Sequence, residues 1–341
     1  MTQLASVDVR AGVTPRDVPG DVEQFLSLLE RPTVFRIRGR DRTRTRAVAG
    51  MLHGNEPSGL RAIHALLRDE TTPAVDVVCI VGAVEAARTS KRMLPGRRDL
   101  NRCFRPPWEG ADGAIARSLL SILDDARPEA LVDLHNNSGH NPPYAIVTRF
   151  DEARAGLASL FADRLITSEL RIGSLMEAFA PTLPVATIEC GRAGTAEADR
   201  VAREGLRRYV TLDALPRGER SAGLTLFGDA IRVMLRPGAR VSFAGTPNPG
   251  ADLTLDADVD RHNFCRLPAG TRIGWVARGA AWPLVACNEA GLDVAHALFE
   301  SRGGALVTAR EVIPVMMTTD PLAAATDCLF YVVRELQLQL Q

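Results

Sequence analysis

The chain has 341 residues and carries 41 Lys+Arg against 41 Asp+Glu, a formal net charge of zero. That balance excludes nucleic acid and an anionic membrane surface as expected partners and leaves a small molecule as the expected substrate. The length suits one large or two moderate domains, and the single lysine, Lys91, follows Ser90, which excludes a phosphate-binding loop of the Gly-Lys-Ser/Thr type.

Residues 1–30 hold a polar lead and a short helical pattern around Val22 to Leu29. TVFRIRGRDRTRTRAVAGML then reads as two strands joined by a turn at Gly39 to Asp41, its alternating arginines forming the solvated face of an edge strand. An apolar run ends at Leu52 and His53 follows at once, with Glu56 three residues on and Pro57 where a helix starts. In that helix Leu60, Ile63, His64 and Leu67 share a face, so His64 is expected to be a satisfied core histidine.

VDVVCIVGAV, Val75 to Val84, is a β-branched run of the kind found in strands buried on both faces. A loop, TSKRMLPGRRDLNRCFRPP, leads to a helix in ADGAIARSLLSILDDA and a strand in EALVDLH that ends on His135. YAIVT is a further strand, DEARAGLASLFADRL a helix, PVATIEC a strand ending on Glu189, and Ala196 to Tyr209 a helix. This order predicts an α/β layer with a doubly wound, mixed and largely parallel sheet over residues 1–215. From residue 216, short apolar segments separated by Gly, Pro, Asn and Asp predict a second, smaller β-rich domain over 216–341.

Six scattered cysteines without a Cys-x-x-Cys pair fit reduced thiols in a cytosolic protein. The amino-terminal stretch lacks an apolar core of signal-peptide length, and no run is long enough to cross a bilayer. A cytoplasmic protein is expected, and a homo-oligomer is left open.

Imidazole nitrogen and carboxylate oxygen both suit zinc, and a catalytic zinc usually takes three protein ligands so that water keeps the fourth position. His53 and Glu56 supply two. In doubly wound sheets ligands gather outside the carboxyl ends of strands, where His53, His135 and Glu189 are all predicted to sit. His135 is therefore preferred as third ligand over His140, five residues on in a Gly/Asn/Pro loop. Asp133 is expected to face the opposite side of its strand and to serve structure. Beside a zinc-bound water, Glu189 would act as general base. Arg92, Arg97, Arg98, Asn101 and Arg102 are concentrated in one loop; arginine forks bind carboxylates at two points, and one near the metal would stabilise an oxyanion.

HGNE, DLNR, DLHN and TIECG, in this order over roughly residues 45–195, resemble the succinylglutamate desuccinylase/aspartoacylase family of the zinc carboxypeptidase superfamily. The resemblance implies one zinc per chain bound by His53, Glu56 and His135, with Glu189 as general base. It implies that Asn101 and Arg102 grip a substrate carboxylate and that Arg92 polarises the scissile carbonyl, and that a β-rich second domain partly covers the site. The expected activity is zinc-dependent hydrolysis of the amide of an N-acyl amino acid or similar compound. A carboxypeptidase acting on short peptides or cell-wall fragments is the alternative within the enzyme class, and an inactive binding relative the alternative outside it.

Three positions depart from the family pattern. The Arg92–Asn101 interval is longer by about two residues, which brings in Arg97 and Arg98 as alternatives to Arg92. Phe179 stands where aspartate-type members carry an arginine, and Tyr331 is the only tyrosine of the second domain. N-acetylaspartate is accordingly not expected as substrate, and the acyl group stays open.

Overall fold

The computed structural model describes residues 7–169, 171–217, 223–326 and 328–337. Of these, the residues up to Asn136, Pro143–Ile166 and those from Arg171 to Leu224 form one compact unit; Asn137–Pro142, those from Thr167 to Glu169 and those from Thr225 on form a second.

The first unit runs β1 (Asp8–Ala11), α1 (Val22–Ser27), β2 (Thr33–Ile37), β3 (Asp41–Gly50), α2 (Ser58–Arg68), β4 (Val75–Val81) and α3 (Val84–Ala87). It continues with α4 (Gly110–Ala126), β5 (Leu131–Asn137), β6 (Tyr144–Val147), α5 (Glu152–Ser159), β7 (Arg164–Thr167), α6 (Leu175–Phe179), β8 (Val185–Arg192) and α7 (Ala196–Thr211). The strands lie in the order β1-β2-β4-β3-β5-β8-β6-β7. β3 is parallel to both β4 and β5, whereas β2–β4 and β6–β8 are antiparallel. This is the doubly wound, mixed and largely parallel sheet of an α/β fold.

The central strands are buried on both faces, with successive side chains alternating between them. Ala47 and Ala49 of β3 join Val78 and Ile80 of β4 in one apolar cluster with Ile115, Leu119 and Leu123 of α4 and Leu175 and Phe179 of α6. The other face is held by α2 and α7, which pack on each other. α2 approaches β3 so closely that a Cβ on Gly50 would lie 2.9 Å from the carbonyl carbon of Gly59, which leaves no room for a side chain there.

Two expectations are corrected here. β2 and β3 are the two expected strands joined by a turn, and β4 inserts between them; the buried β4 has two sides to satisfy, and β1 covers β2 in turn. The arginine-rich segment is thus no edge strand, although Arg36, Arg38, Arg40 and Arg42 are solvated as expected; Arg46 is fully buried. The helical pattern extended through Leu165 stops at Ser159 in α5, and Arg164–Thr167 is a strand.

The second unit is β-rich. It contains β9 (Thr225–Leu235), β10 (Val241–Phe243), β11 (Leu253–Leu255), β12 (Arg272–Val276), β13 (Leu284–Cys287), α8 (Ala295–Leu298), β14 (Phe299–Arg302), β15 (Ala305–Thr308), β16 (Ile313–Val315), α9 (Pro321–Thr326) and β17 (Phe330–Leu336). β9 pairs antiparallel with β13 and β17, and β17 with β16; a five-stranded sheet takes the order β10-β11-β12-β15-β14. Asn137–Pro142 is tied into this unit: the backbone N–H of His140 donates to Asp260 Oδ2 at 2.9 Å, and Asn263 Nδ2 donates to the carbonyl of His140 at 2.9 Å. All six cysteines are free thiols. Among the described residues no helix is long and apolar enough to cross a membrane.

Candidate metal centre

β3 ends at Gly50, and Met51 turns the chain with φ 57°. His53 therefore lies in the turn beyond the strand rather than on its last residue. The turn is pinned from behind. Gly54 donates its N–H to the carbonyl of Arg92 at 3.1 Å, and a Cβ at Gly54 would sit 2.3 Å from the backbone nitrogen of Ala87. Only glycine fits there, and this close approach fixes the loop from which His53 and Glu56 project.

Ligand atoms of His53, Glu56 and His135 lie within 4.8 Å of one another, and all three residues are buried. Glu56 joins the two histidines: Oε1 is 2.8 Å from His53 Nδ1 and Oε2 is 2.7 Å from His135 Nδ1. The backbone N–H of Asn136 donates to the same Oε2 at 3.2 Å, while the Asn136 side chain accepts from Ser58 N–H and donates to Ser58 Oγ and to the carbonyl of Gly191. Asn136 thus ties β5 to the start of α2 and the end of β8. His135 lies inside β5 and Glu189 inside β8, each short of the strand's last residue. His140 is exposed and belongs to the second unit, outside this group.

The outward nitrogens of both imidazoles meet carboxylates. His53 Nε2 is 3.0 Å from Asp99 Oδ1, and His135 Nε2 is 2.9 Å from Asp133 Oδ2. Asp133 lies on the same face of β5 as His135, not the opposite one, because residues two apart on a strand point the same way. Asp99 was passed over in the sequence, and Asp133 was given a structural role on the wrong face. The Asp-x-His spacing in VDLH is the signal for Asp133, whereas nothing local to DLNR shows that its aspartate folds back onto His53.

The charges depend on one another. Burial opposes ionisation of Glu56, but the two histidines and their hydrogen bonds outweigh it and hold the carboxyl well below its usual range. Burial likewise opposes ionisation of Asp99, and His53, Arg92 and Arg102 outweigh it. For His135, burial disfavours the charged form while Asp133 and Glu56 favour it, and the balance lies well above the ordinary histidine value. Glu189 is pushed up to about 7, first by burial, with Glu56 adding to the rise and His135, His53 and Arg92 opposing it. It is buried beside the group of three without being a member of it.

The loop arginines separate clearly. Arg92 donates from Nε and Nη2 to Asp99 Oδ2 at 3.0 and 2.8 Å, and its Nη1 lies 3.6 Å from Glu56 Oε1. Arg97 instead forms a fork with Asp112, and Arg98 is exposed with its backbone N–H on Asp112. Asn101 is buried, accepting from Leu175 N–H at 2.9 Å through Oδ1 and placing Nδ2 3.2 Å from His135 Nε2. Arg102, half-buried, donates to the carbonyl of Asn101 at 3.0 Å. Phe179 is packed in the α4/α6 apolar cluster, and Tyr331 lies within β17 in register with Arg232.

Residues 42–204 match the model of the succinylglutamate desuccinylase/aspartoacylase catalytic domain. A succinylglutamate desuccinylase structure from Chromobacterium violaceum is similar at TM-score 0.63 and 16% identity, over 94% of this chain and 99% of that one. A succinylglutamate desuccinylase/aspartoacylase structure from Rhodobacter sphaeroides gives TM-score 0.60 and 17% identity, over 90% and 89%. Murine aminoacylase 3 gives TM-score 0.53 and 18% identity, over 87% and 97%. At these identities the structural likeness carries the fold. No curated protein matches the chain significantly by sequence.

Proposed function

We propose that this chain, which belongs through its 42–204 domain to the succinylglutamate desuccinylase/aspartoacylase family, is a zinc-dependent amidohydrolase releasing the acyl group of an N-acyl amino acid or similar small compound. One observation carries this reading. The Nδ1 atoms of His53 and His135 both turn inward onto Glu56, with a buried carboxylate, Glu189, alongside.

The donor set fits the metal. Two imidazole nitrogens and one carboxylate oxygen match catalytic zinc sites of the two-histidine, one-glutamate kind. Carboxylates behind the ring nitrogens are the usual companions of such ligands. His53, Glu56 and His135 would hold the ion, one per chain. Bound there, zinc supplies a Lewis acid that polarises a carbonyl and acidifies water.

The chain's own groups do the remaining work. Glu189, pushed up to about 7 by burial in the metal-free chain, would take a proton from the attacking water and return it to the leaving amine, the work of a general acid–base group. Arg92 is held by Asp99 and directs Nη1 to the carboxylate end of the site, where it would stabilise negative charge developing on the carbonyl oxygen. Arg102 would orient the substrate carboxylate. Asn101, its amide already engaged, would help by holding that loop in place.

The test is zinc-loaded protein offered a panel of N-acyl amino acids and short peptides, with amine release as readout. Glu189→Gln should keep the metal and lose about 10²–10⁴ in rate. Unaltered turnover in that variant would remove the role given to Glu189, and release only from peptides would favour a carboxypeptidase.

A further inference from the structure

Asp133 is fully buried, and apart from His135 neither of its oxygens has a hydrogen-bond partner among the described residues. A buried carboxyl group short of partners is costly, and the group within reach of this one is the ring of His135. Asp99, behind the other histidine, differs: it has Arg92 on Oδ2 and the backbone N–H of Asn101 on Oδ1.

His135 Nε2 has two neighbours whose demands are opposite. Asn101 Nδ2, at 3.2 Å, is a donor and needs a lone pair on Nε2. Asp133 Oδ2, at 2.9 Å, is an acceptor and needs a proton there; the contact is an ion pair, not yet an aligned hydrogen bond. The amide of Asn101 cannot reverse to accept instead, because its Oδ1 is taken by the N–H of Leu175 at 2.9 Å. Once the Nδ1 lone pair of His135 is turned to a metal, the ring must carry its proton on Nε2. Within the contacts of that nitrogen, the acceptor is then Asp133.

We propose that Asp133 is a positioning residue: its buried carboxylate accepts a hydrogen bond from Nε2–H of His135 and so holds Nδ1, lone pair inward, beside Glu56. This rests on the reading of His135 as a metal ligand. Asn101 Nδ2 lies at the same ring nitrogen, and a proton on Nε2 selects Asp133 over Asn101 as its partner. Asp133 is not one of the three residues grouped to hold an ion.

The experiment has two arms. In the first, zinc affinity is measured by chelator competition on wild type, Asp133→Asn and Asp133→Leu, with circular dichroism confirming that each is folded. Loss of about 10–100-fold in affinity is expected, the usual effect of removing the group behind a ligating histidine. In the second, nitrogen-labelled histidine in the zinc-loaded wild type is followed by NMR, and His135 should show an exchange-protected proton on Nε2. Wild type that binds no zinc overturns the metal reading and the proposal together. Wild type that binds zinc while both variants bind it equally well overturns the role of Asp133 alone. If the variants fail to fold, a proton found on Nδ1 of His135, or an unprotected one on Nε2, has the same effect.

Discussion

Asp99 Oδ1 lies 3.0 Å from Nε2 of His53 across 46 positions of sequence, and the same carboxylate binds Arg92 through Oδ2. One side chain thereby sets the ring orientation of a proposed ligand and the position of a proposed catalytic arginine. Asp99→Asn is expected to lower zinc affinity by about 10–100-fold and to cost additional rate in the fully loaded enzyme, because Arg92 loses its ionic partner. Chelator competition reads the first effect and kcat at saturating zinc the second. Loss of affinity with kcat intact would restrict Asp99 to the histidine.

Metal binding should weaken as pH falls. Burial disfavours the charged form of His135, but Asp133 and Glu56 raise its pKa well above the ordinary value in the metal-free chain. The raised pKa favours a proton on the ring that a metal has to displace. The sign follows from linkage: proton release accompanies binding, and below the raised pKa each unit of pH costs up to about tenfold in apparent affinity per proton displaced, about 1.4 kcal/mol. Zinc competition at about pH 6 and about pH 8, with calorimetry in two buffers of different ionisation enthalpy, measures both quantities. An affinity independent of pH over that interval would show that His135 binds without giving up a proton.

The extent to which this site is legible in sequence follows the range of the contacts. His53 and Glu56 sit three residues apart in one turn, so their meeting needs only local chain geometry and the glycine between them. His135 and Glu189 are found because a doubly wound sheet gathers its functional residues at one edge, although neither is the last residue of its strand. Asp133 was within reach of the same alternation rule, correctly applied. Asp99 and Asn136 were not, because each acts through partners tens of residues away. The pairing of β2 with β4 was hidden for the same reason: adjacency in sequence favours a hairpin, and only the burial demand of both sides of β4 outweighs it.

Arg92→Lys should separate binding from chemistry. Lysine keeps the charge but cannot reproduce the two contacts that fix the guanidinium on Asp99. A fall in kcat of about 10²–10³, the scale of losing one oxyanion donor, is expected with zinc content unchanged. Steady-state kinetics beside metal analysis provides the check. Arg97→Lys, by contrast, should leave kcat close to wild type, since Arg97 is committed to Asp112; a larger loss there would exchange the two roles.

Arg46 makes the stability of the first unit depend on a buried charge. It is fully buried, places Nε 2.7 Å from Glu129 Oε1, and donates from Nη1 to the carbonyls of Tyr209 and Leu212 at 2.6 and 2.7 Å. These carbonyls lie at the carboxyl end of α7, where helix carbonyls have no partners within the helix and a cation is favoured by the helix dipole. Glu129 keeps Arg44 as a second partner, so Arg46→Met leaves the acid paired and the helix end unsatisfied. The expected cost is about 1–3 kcal/mol for each buried carbonyl left unsatisfied, read from denaturant midpoints at unchanged slope. α7 packs on α2, the helix that starts two residues after Glu56, yet no ligand touches Arg46. Activity per folded molecule should therefore stay at the wild-type level, and a loss of turnover in fully folded protein would mean that the α7 anchor reaches the metal centre.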